Sequence, residues 1–301
     1  MLRAAAVDIG TNTVLLTIAE RRGPLVVPLC ERAAITRLGA GVDRTRSISA
    51  DACTRTLACL SEYGELIRLH GADFVDAVGT SALRDAGSDP HFIGLAQQAL
   101  GCRPRVLSGA EEAELTFHGA LSGLALQGEV LVFDVGGGST EIASGSAAGP
   151  ARVASAVSLD LGSVRLFERH IRSDPPTREE MLAVRCAVRD ALARAPMPSR
   201  DCELVGVAGT VTSLAALAGT AAPLHGALLA RSAVDRLADE LAELPLAQRL
   251  GLADLDPGRA DVIVCGAAIV SEVMAWSGAT ALRVSDRGVR WGLLEQLLRS
   301  A

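Results

Sequence analysis

Twice along this chain, about a domain's length apart, a short apolar run ends in an aspartate and then turns through glycine and hydroxyl residues. The fuller copy is Leu131-Val132-Phe133-Asp134-Val135-Gly136-Gly137-Gly138-Ser139-Thr140-Glu141-Ile142. The shorter is Ala5-Ala6-Val7-Asp8-Ile9-Gly10-Thr11-Asn12-Thr13-Val14-Leu15-Leu16-Thr17-Ile18. The β-branched and aromatic residues of the apolar runs predict buried strands. Glycine lets the backbone turn tightly and bring bare N–H groups against a ligand. Hydroxyls add donors, and carboxylates suit the Mg2+ that accompanies a phosphate. One such turn alone is equally an ordinary glycine-rich hairpin. Two copies, with Asp8 matching Asp134, Gly10 matching Gly136 and Thr13 matching Ser139, predict two similar halves closing on one ligand.

The rest of the chain is compatible with that plan. At 301 residues it can hold two domains of ordinary size. No apolar run reaches the roughly 18 residues of a membrane span, and no basic-then-apolar leader is visible. Seven Cys without Cys-x-x-Cys or zinc-finger spacing read as reduced thiols, so a cytoplasmic protein without a membrane partner is expected. The net charge of −6 argues against a nucleic-acid partner, so a polyanionic ligand must be attracted locally. Every strongly basic side chain is Arg, since the chain has no Lys. Its one Asn, Asn12, sits in the first turn, where it can take a left-handed backbone conformation.

Read in order, residues 4–9, 14–20 and 25–31 are expected to be antiparallel strands, the last two joined by the turn Arg22-Gly23-Pro24. A Gly- and Arg-rich loop spans 37–46, and a helix capped by Ser49 spans 50–70. A strand at 73–78 leads to Thr80-Ser81, which can cap a short helix carrying Arg84. A helix begun by Ser88-Asp89-Pro90 runs to about Leu100, and a strand covers 103–107. Ser108 with Glu111 forms a capping box, leaving Glu112 beside a helix N-terminus without a structural task. That helix is expected to reach about Leu126 and to hand over between lobes of 1–116 and 117–301. Further elements are strands at 130–133, 152–157, 203–207 and 281–284, and helices at 178–194 and from Asp256 to about Met274. Gly209-Thr210-Val211-Thr212 opens a helix after a strand, either an anion site or a plain capped helix. The final helix, 288–299, is expected to pack back toward the first lobe.

In wording and order these stretches resemble the exopolyphosphatase and guanosine pentaphosphate phosphohydrolase family, within the actin, sugar kinase and heat-shock chaperone superfamily. Besides the two phosphate motifs, Arg37-Leu38-Gly39-Ala40-Gly41, Thr80 to Asp85, Leu107 to Ala113, Gly206 to Thr212 and Val284 to Gly288 carry the resemblance, which runs from about residue 4 to 298. Leu161-Gly162-Ser163-Val164-Arg165-Leu166 also matches, with Asp160 where the family would have Pro. The resemblance implies an α/β fold of two actin-like (ribonuclease H-like) lobes around a central cleft. It implies Glu112 as the catalytic base, and Mg2+ held by Asp8, Asp134 and Glu141. Phosphates would meet Gly10, Thr11, Asn12, Thr13, Arg84, Gly136, Gly137, Gly138, Ser139 and Thr210.

The implied activity is removal of orthophosphate from the end of inorganic polyphosphate, by a homodimer; guanosine pentaphosphate is the alternative substrate. A sugar or acetate kinase is disfavoured, because no sugar-selecting site is visible and a water-directing Glu would waste ATP. A non-catalytic actin-like binding module would leave Glu112 and Arg84 without a role. Longer family members carry an added His-Asp-type module, whereas this sequence ends near the end of the core. Short polyphosphates are therefore expected, gripped by Arg84 and by Arg37 or Arg165.

Overall fold

Both copies of the duplicated segment are hairpins at the heart of a sheet. The computed structural model describes residues 2–23, 25–197 and 202–299, so Pro24 of the Arg22-Gly23-Pro24 turn lies outside the described residues. The first half comprises β1 (Arg3–Ile9), β2 (Thr13–Arg22), β3 (Leu25–Ile35), α1 (Val42–Thr45), α2 (Ala50–His70), β4 (Phe74–Gly79), α3 (Ser81–Asp85), α4 (Pro90–Leu100), β5 (Arg105–Val106) and α5 (Gly109–Leu121). The second comprises β6 (Glu129–Val135), β7 (Thr140–Ser146), β8 (Arg152–Leu159), α6 (Ser163–His170), α7 (Arg178–Leu192), β9 (Glu203–Val207), α8 (Ala208–Leu217), β10 (Leu228–Ala230), α9 (Arg231–Glu243), α10 (Leu246–Arg249), α11 (Ile263–Ser277), β11 (Ala281–Val284) and α12 (Val289–Arg299).

The sheets run β3-β2-β1-β4-β5 and β10-β11-β9-β6-β7-β8. Without the short edge strand β10, the second order repeats the first. In each, a three-stranded antiparallel meander is extended by parallel strands on its first member. This is the ribonuclease H-like, actin-type α/β lobe, present twice. β1 and β6 are central and covered on both faces, so Ala4 to Val7 and Val130 to Phe133 are continuous apolar runs without alternation. Asp8 and Asp134 each stand next to last in such a strand. That is the carboxyl edge, where open α/β sheets bind ligands.

The helices lock the halves together. α5 lays Ala113, Phe117, Ala120 and Leu121 on the second sheet, against Val130, Val132, Val205 and Val207. α12 lays Val289, Leu293, Leu294 and Leu298 on the first sheet, against Ala4, Ala6 and Val78. Each sheet is thus covered by a helix from the other half. The two helices meet through glycines: a Cβ on Gly119 would stand 2.0 Å from the Gly288 carbonyl oxygen, and one on Gly292 2.2 Å from that of Leu115. Fully burying each such Leu contributes about 1.5–3 kcal/mol. The seam is therefore tightly packed.

Several local expectations are corrected. α5 stops at Leu121, not Leu126, because Gly123 takes a left-handed conformation (φ 78°). α11 begins at Ile263, after a separate 3-10 turn at 257–259 whose Gly258 N–H donates to Asp256. The 37–46 loop contains α1, one helical turn. Thr80 occupies an N-cap position but its hydroxyl makes no capping bond. Asn12 is not left-handed; Arg37 (φ 52°) is the residue nearby that is. α6, α9, α10 and β10 have no counterpart in the sequence reading.

Candidate active site

The two glycine turns are alike down to their hydrogen bonds. Gly10 N–H donates to the Thr13 carbonyl at 3.1 Å, and Gly136 N–H to that of Ser139 at 3.0 Å. Their remaining carbonyls are held from behind. Thr36 and Arg37 N–H donate to Asn12 O, and Gly39 N–H to Thr11 O. Across the cleft, Ser163 N–H donates to Gly136 O, while Val164 and Arg165 N–H donate to Gly137 O. The N–H groups of Thr11, Asn12, Gly137 and Gly138 have no backbone acceptor among the described residues. The turns also abut: a Cβ on Gly138 would stand 2.5 Å from Ser81 Oγ and 2.7 Å from Thr11 Oγ1. Only glycine lets the turns approach this closely, and both line one cavity of about 280 Å³.

Five carboxylates line that cavity; Asp286 is held below the usual range by His225, and the other four, Asp8, Glu112, Asp134 and Glu141, are raised by burial. Asp134 and Glu141 are directly opposed across β6 and β7, an arrangement of like charges that needs compensation. Burial pushes the Asp134 carboxyl well above the usual range, and Glu141 and Asp8 push it further. Glu141 is buried and also raised, although Ser158 donates to it at 2.7 Å and Ser139 bonds to it as well. Burial lifts Asp8 to about 7, opposed by Arg290. Its Oδ1 is buried with no hydrogen-bond partner, as is Asn12 Oδ1. Among the described residues no three His, Cys, Asp or Glu side chains enclose a metal by themselves. A cation here would share its ligands with phosphate oxygens and water, the habit of Mg2+.

Glu112 enters from the first turn of α5. The Ser108–Glu111 capping box is present in both directions, so Glu111 serves the helix end. Glu112 is 6% exposed and raised well above the usual range, by burial first and by Glu141 next. It is not free: Arg84 donates to Glu112 Oε2, donates to the Leu107 carbonyl at 3.1 Å, and lies 3.9 Å from Glu141. Arg84 does not line the cavity. Thr210 lines it, but its hydroxyl is turned to the Val135 carbonyl at 3.5 Å. α8 has no side-chain cap at its N-terminus, and Ala208 there holds a left-handed φ of 71°.

The other cations expected at a phosphate are occupied. Arg37 pairs with Asp261 at 2.8 Å, and Arg165 is buried among other acceptors. Two unanticipated arginines line the cavity instead. Arg259 lies over Gly209, where a Cβ would meet its guanidinium, and it forms no ion pair among the described residues. Arg290, in the first turn of α12, donates to the Asp286 carbonyl at 3.4 Å and lies 3.4 Å from Glu31. An Arg inside the Asp256-Pro257-Gly258-Arg259 turn is the signal that could have pointed to the first. No helix among the described residues is long and apolar enough to cross a membrane.

Comparison with known proteins gives a consistent picture. A model of the Ppx/GppA phosphatase family matches residues 17–301. The chain is 38% identical to exopolyphosphatase 2 of Mycobacterium tuberculosis over 97% of this chain and 98% of the relative. The crystal structure of an exopolyphosphatase-like protein superposes with a TM-score of 0.93 at 31% identity, covering 99% of both chains. The Ppx/GppA family member from Aquifex aeolicus superposes with a TM-score of 0.83 at 31% identity, covering 99% of this chain and 98% of that one.

Proposed function

The chain belongs to the Ppx/GppA phosphatase family, and from that premise we propose that it is an exopolyphosphatase, a Mg2+-dependent hydrolase of the terminal phosphoanhydride bond of inorganic polyphosphate. The observation that carries this reading is the meeting, in one cavity, of two turns with unclaimed N–H groups and the buried Glu112. The terminal phosphoryl lies, in this reading, between Gly10-Thr11-Asn12-Thr13 and Gly136-Gly137-Gly138-Ser139. Their N–H groups and hydroxyls stabilise charge as it develops, usually the largest catalytic contribution. Asp8, Asp134 and Glu141 hold the Mg2+; the partnerless Asp8 Oδ1 and the opposed Asp134–Glu141 pair are the features that fit it. When bound, the cation neutralises phosphate oxygens and helps orient them.

Glu112 takes a proton from the attacking water. The water oxygen forms its bond to the terminal phosphorus as the bond to the bridging oxygen breaks, in line, and orthophosphate and the shortened chain depart. Burial raises the Glu112 carboxyl, which suits a base, and the Arg84 pair opposes that rise. We assign Arg84 to the next phosphate of the chain. On that transfer Glu112 loses its counter-charge and becomes more basic. Thr210 and the uncapped start of α8 receive phosphates further along. By family resemblance we place the protein in the cytoplasm as a homodimer without nucleic-acid or membrane partners, divided into lobes 1–116 and 117–301.

The test is phosphate release from polyphosphate, guanosine pentaphosphate and ATP at equal enzyme and Mg2+. Fastest release from polyphosphate is expected. Faster release from guanosine pentaphosphate transfers the reading to the family's other activity, and release from none of them sinks both.

A further inference from the structure

Behind the turns, on the side away from the cavity, a second set of polar contacts crosses between the lobes. At its centre is Arg165, in the first turn of α6, with a side chain only 3% exposed. Its Nε donates to the carbonyl of Gly138, in the second glycine turn, at 2.5 Å. One terminal nitrogen pairs with Asp43 in α1. The other donates to Asp85 in α3 and to Ser81 Oγ at 3.2 Å. The guanidinium is thus spent on acceptors from three segments, two of them in the opposite lobe, and it does not line the cavity.

The surroundings reinforce the bridge. Arg169, one helical turn on, grips both oxygens of Asp43 at 2.7 Å. Glu168 accepts from Gly41 N–H at 2.8 Å. So α6 holds the second glycine turn from behind and, at the same time, the 36–46 segment that holds the first turn from behind. Asp43 and Asp85 both face Arg165; without its guanidinium, Asp43 would keep Arg169 and Asp85 would keep Arg46, but no group would join the two carboxylates to the Gly138 carbonyl. The seam of α5 and α12 would hold, and the spacing of the turns would rest on the remaining cross-lobe contacts of Glu168, Arg169 and Arg37.

We infer that Arg165 is a positioning residue which fixes the spacing of the two glycine turns and so couples closure of the lobes to the geometry around the reacting phosphoryl. This rests on the exopolyphosphatase reading for its effect on turnover, but the spacing itself can be measured without turnover. Lysine cannot replace the guanidinium, because one ammonium cannot reach a carbonyl, a hydroxyl and two carboxylates in separate directions.

In Arg165→Lys, kcat should fall on the order of 10²-fold, the cost of misplacing reacting groups by about an ångström. KM should change little, since what is lost is geometry needed in the transition state. Amide hydrogen exchange should quicken in residues 80–85 and 136–141 and stay unchanged in α11. A variant with Asp43→Asn and Asp85→Asn, neither of which lines the large cavity, should reproduce both effects, and the triple variant should add little. A folded Arg165→Lys protein with near wild-type kcat overturns the inference, as do losses that multiply in the triple variant. If Arg165→Lys does not fold, the Asp43/Asp85 variant decides in the same way. If the wild type releases no phosphate, the activity reading fails; unchanged exchange in both segments then defeats the inference, and quickened exchange upholds it.

Discussion

Replacing Glu112 by Gln separates chemistry from stability in a way the structure allows to be worked out beforehand. Gln keeps the shape and can still accept a hydrogen bond from Arg84, but it cannot take a proton from water. Turnover should fall by roughly 10²- to 10⁴-fold, the usual contribution of a general base. Removing one member of a buried ion pair ordinarily costs about 3–5 kcal/mol, because the other charge is left uncompensated. Here it is not left so. Arg84 keeps the Leu107 carbonyl at 3.1 Å and Glu141 at 3.9 Å. At an effective dielectric of about 20, a unit charge pair near 4 Å is worth about 4 kcal/mol before desolvation. Glu112→Gln also removes the negative charge that Glu141 opposes. The net change in stability should therefore stay within about 1 kcal/mol. The assays are phosphate release at saturating polyphosphate and Mg2+, and urea unfolding of the same preparations. Glu111→Gln is the control: Gln can still accept from the Ser108 N–H, so the capping box is largely kept and turnover stays near wild type. Wild-type turnover in Glu112→Gln with loss in Glu111→Gln would refute the assignment. A destabilisation of several kcal/mol would refute the claim that Glu141 can take over Arg84.

Asp8→Asn and Asp134→Asn should each raise the Mg2+ concentration for half-maximal rate; an unchanged dependence in both leaves them structural or hinge roles. Asp8, Glu112, Asp134 and Glu141 all hold protons more tightly folded than unfolded, so cation-free protein should lose stability as pH rises from about 4 toward and past 7, by up to about 1.4 kcal/mol per unit for each group titrating. Melting temperatures in chelator should fall over that range and recover with Mg2+; a rise in chelator contradicts the carboxylate cluster. Long polyphosphates should shorten gradually as a population, because Arg37 and Arg165 are already paired and phosphates beyond the cleft meet a net-negative protein screened over about 8 Å. Complete digestion of some chains while others stay intact, early in the reaction, rules this out.

What could be read from the sequence was what short stretches of chain decide by themselves. Asp8 and Asp134 end strands because apolar runs must be buried and glycines must turn, and the same reasoning placed Ser108 and Glu111 at a helix end. α9 was missed, although its (i, i+4) pairs Arg231–Asp235 and Arg236–Glu240 lie along one amphipathic helix. Partners far apart in the chain were not readable. Arg165 and Asp43 meet across 122 positions, Arg37 and Asp261 across 224, and neither pair leaves a trace in local spacing. Motifs suggest which residue types suit a phosphate, but not which charges the fold has already joined to one another. In this chain that distinction redistributes the arginines. Arg37 and Arg165 tie the lobes together, and Arg84 steadies Glu112. Arg259 lines the cavity without an ion pair among the described residues. Attraction to a polyanion by a protein of net negative charge thus depends on which guanidinium the fold leaves uncommitted, and that is fixed by tertiary pairing.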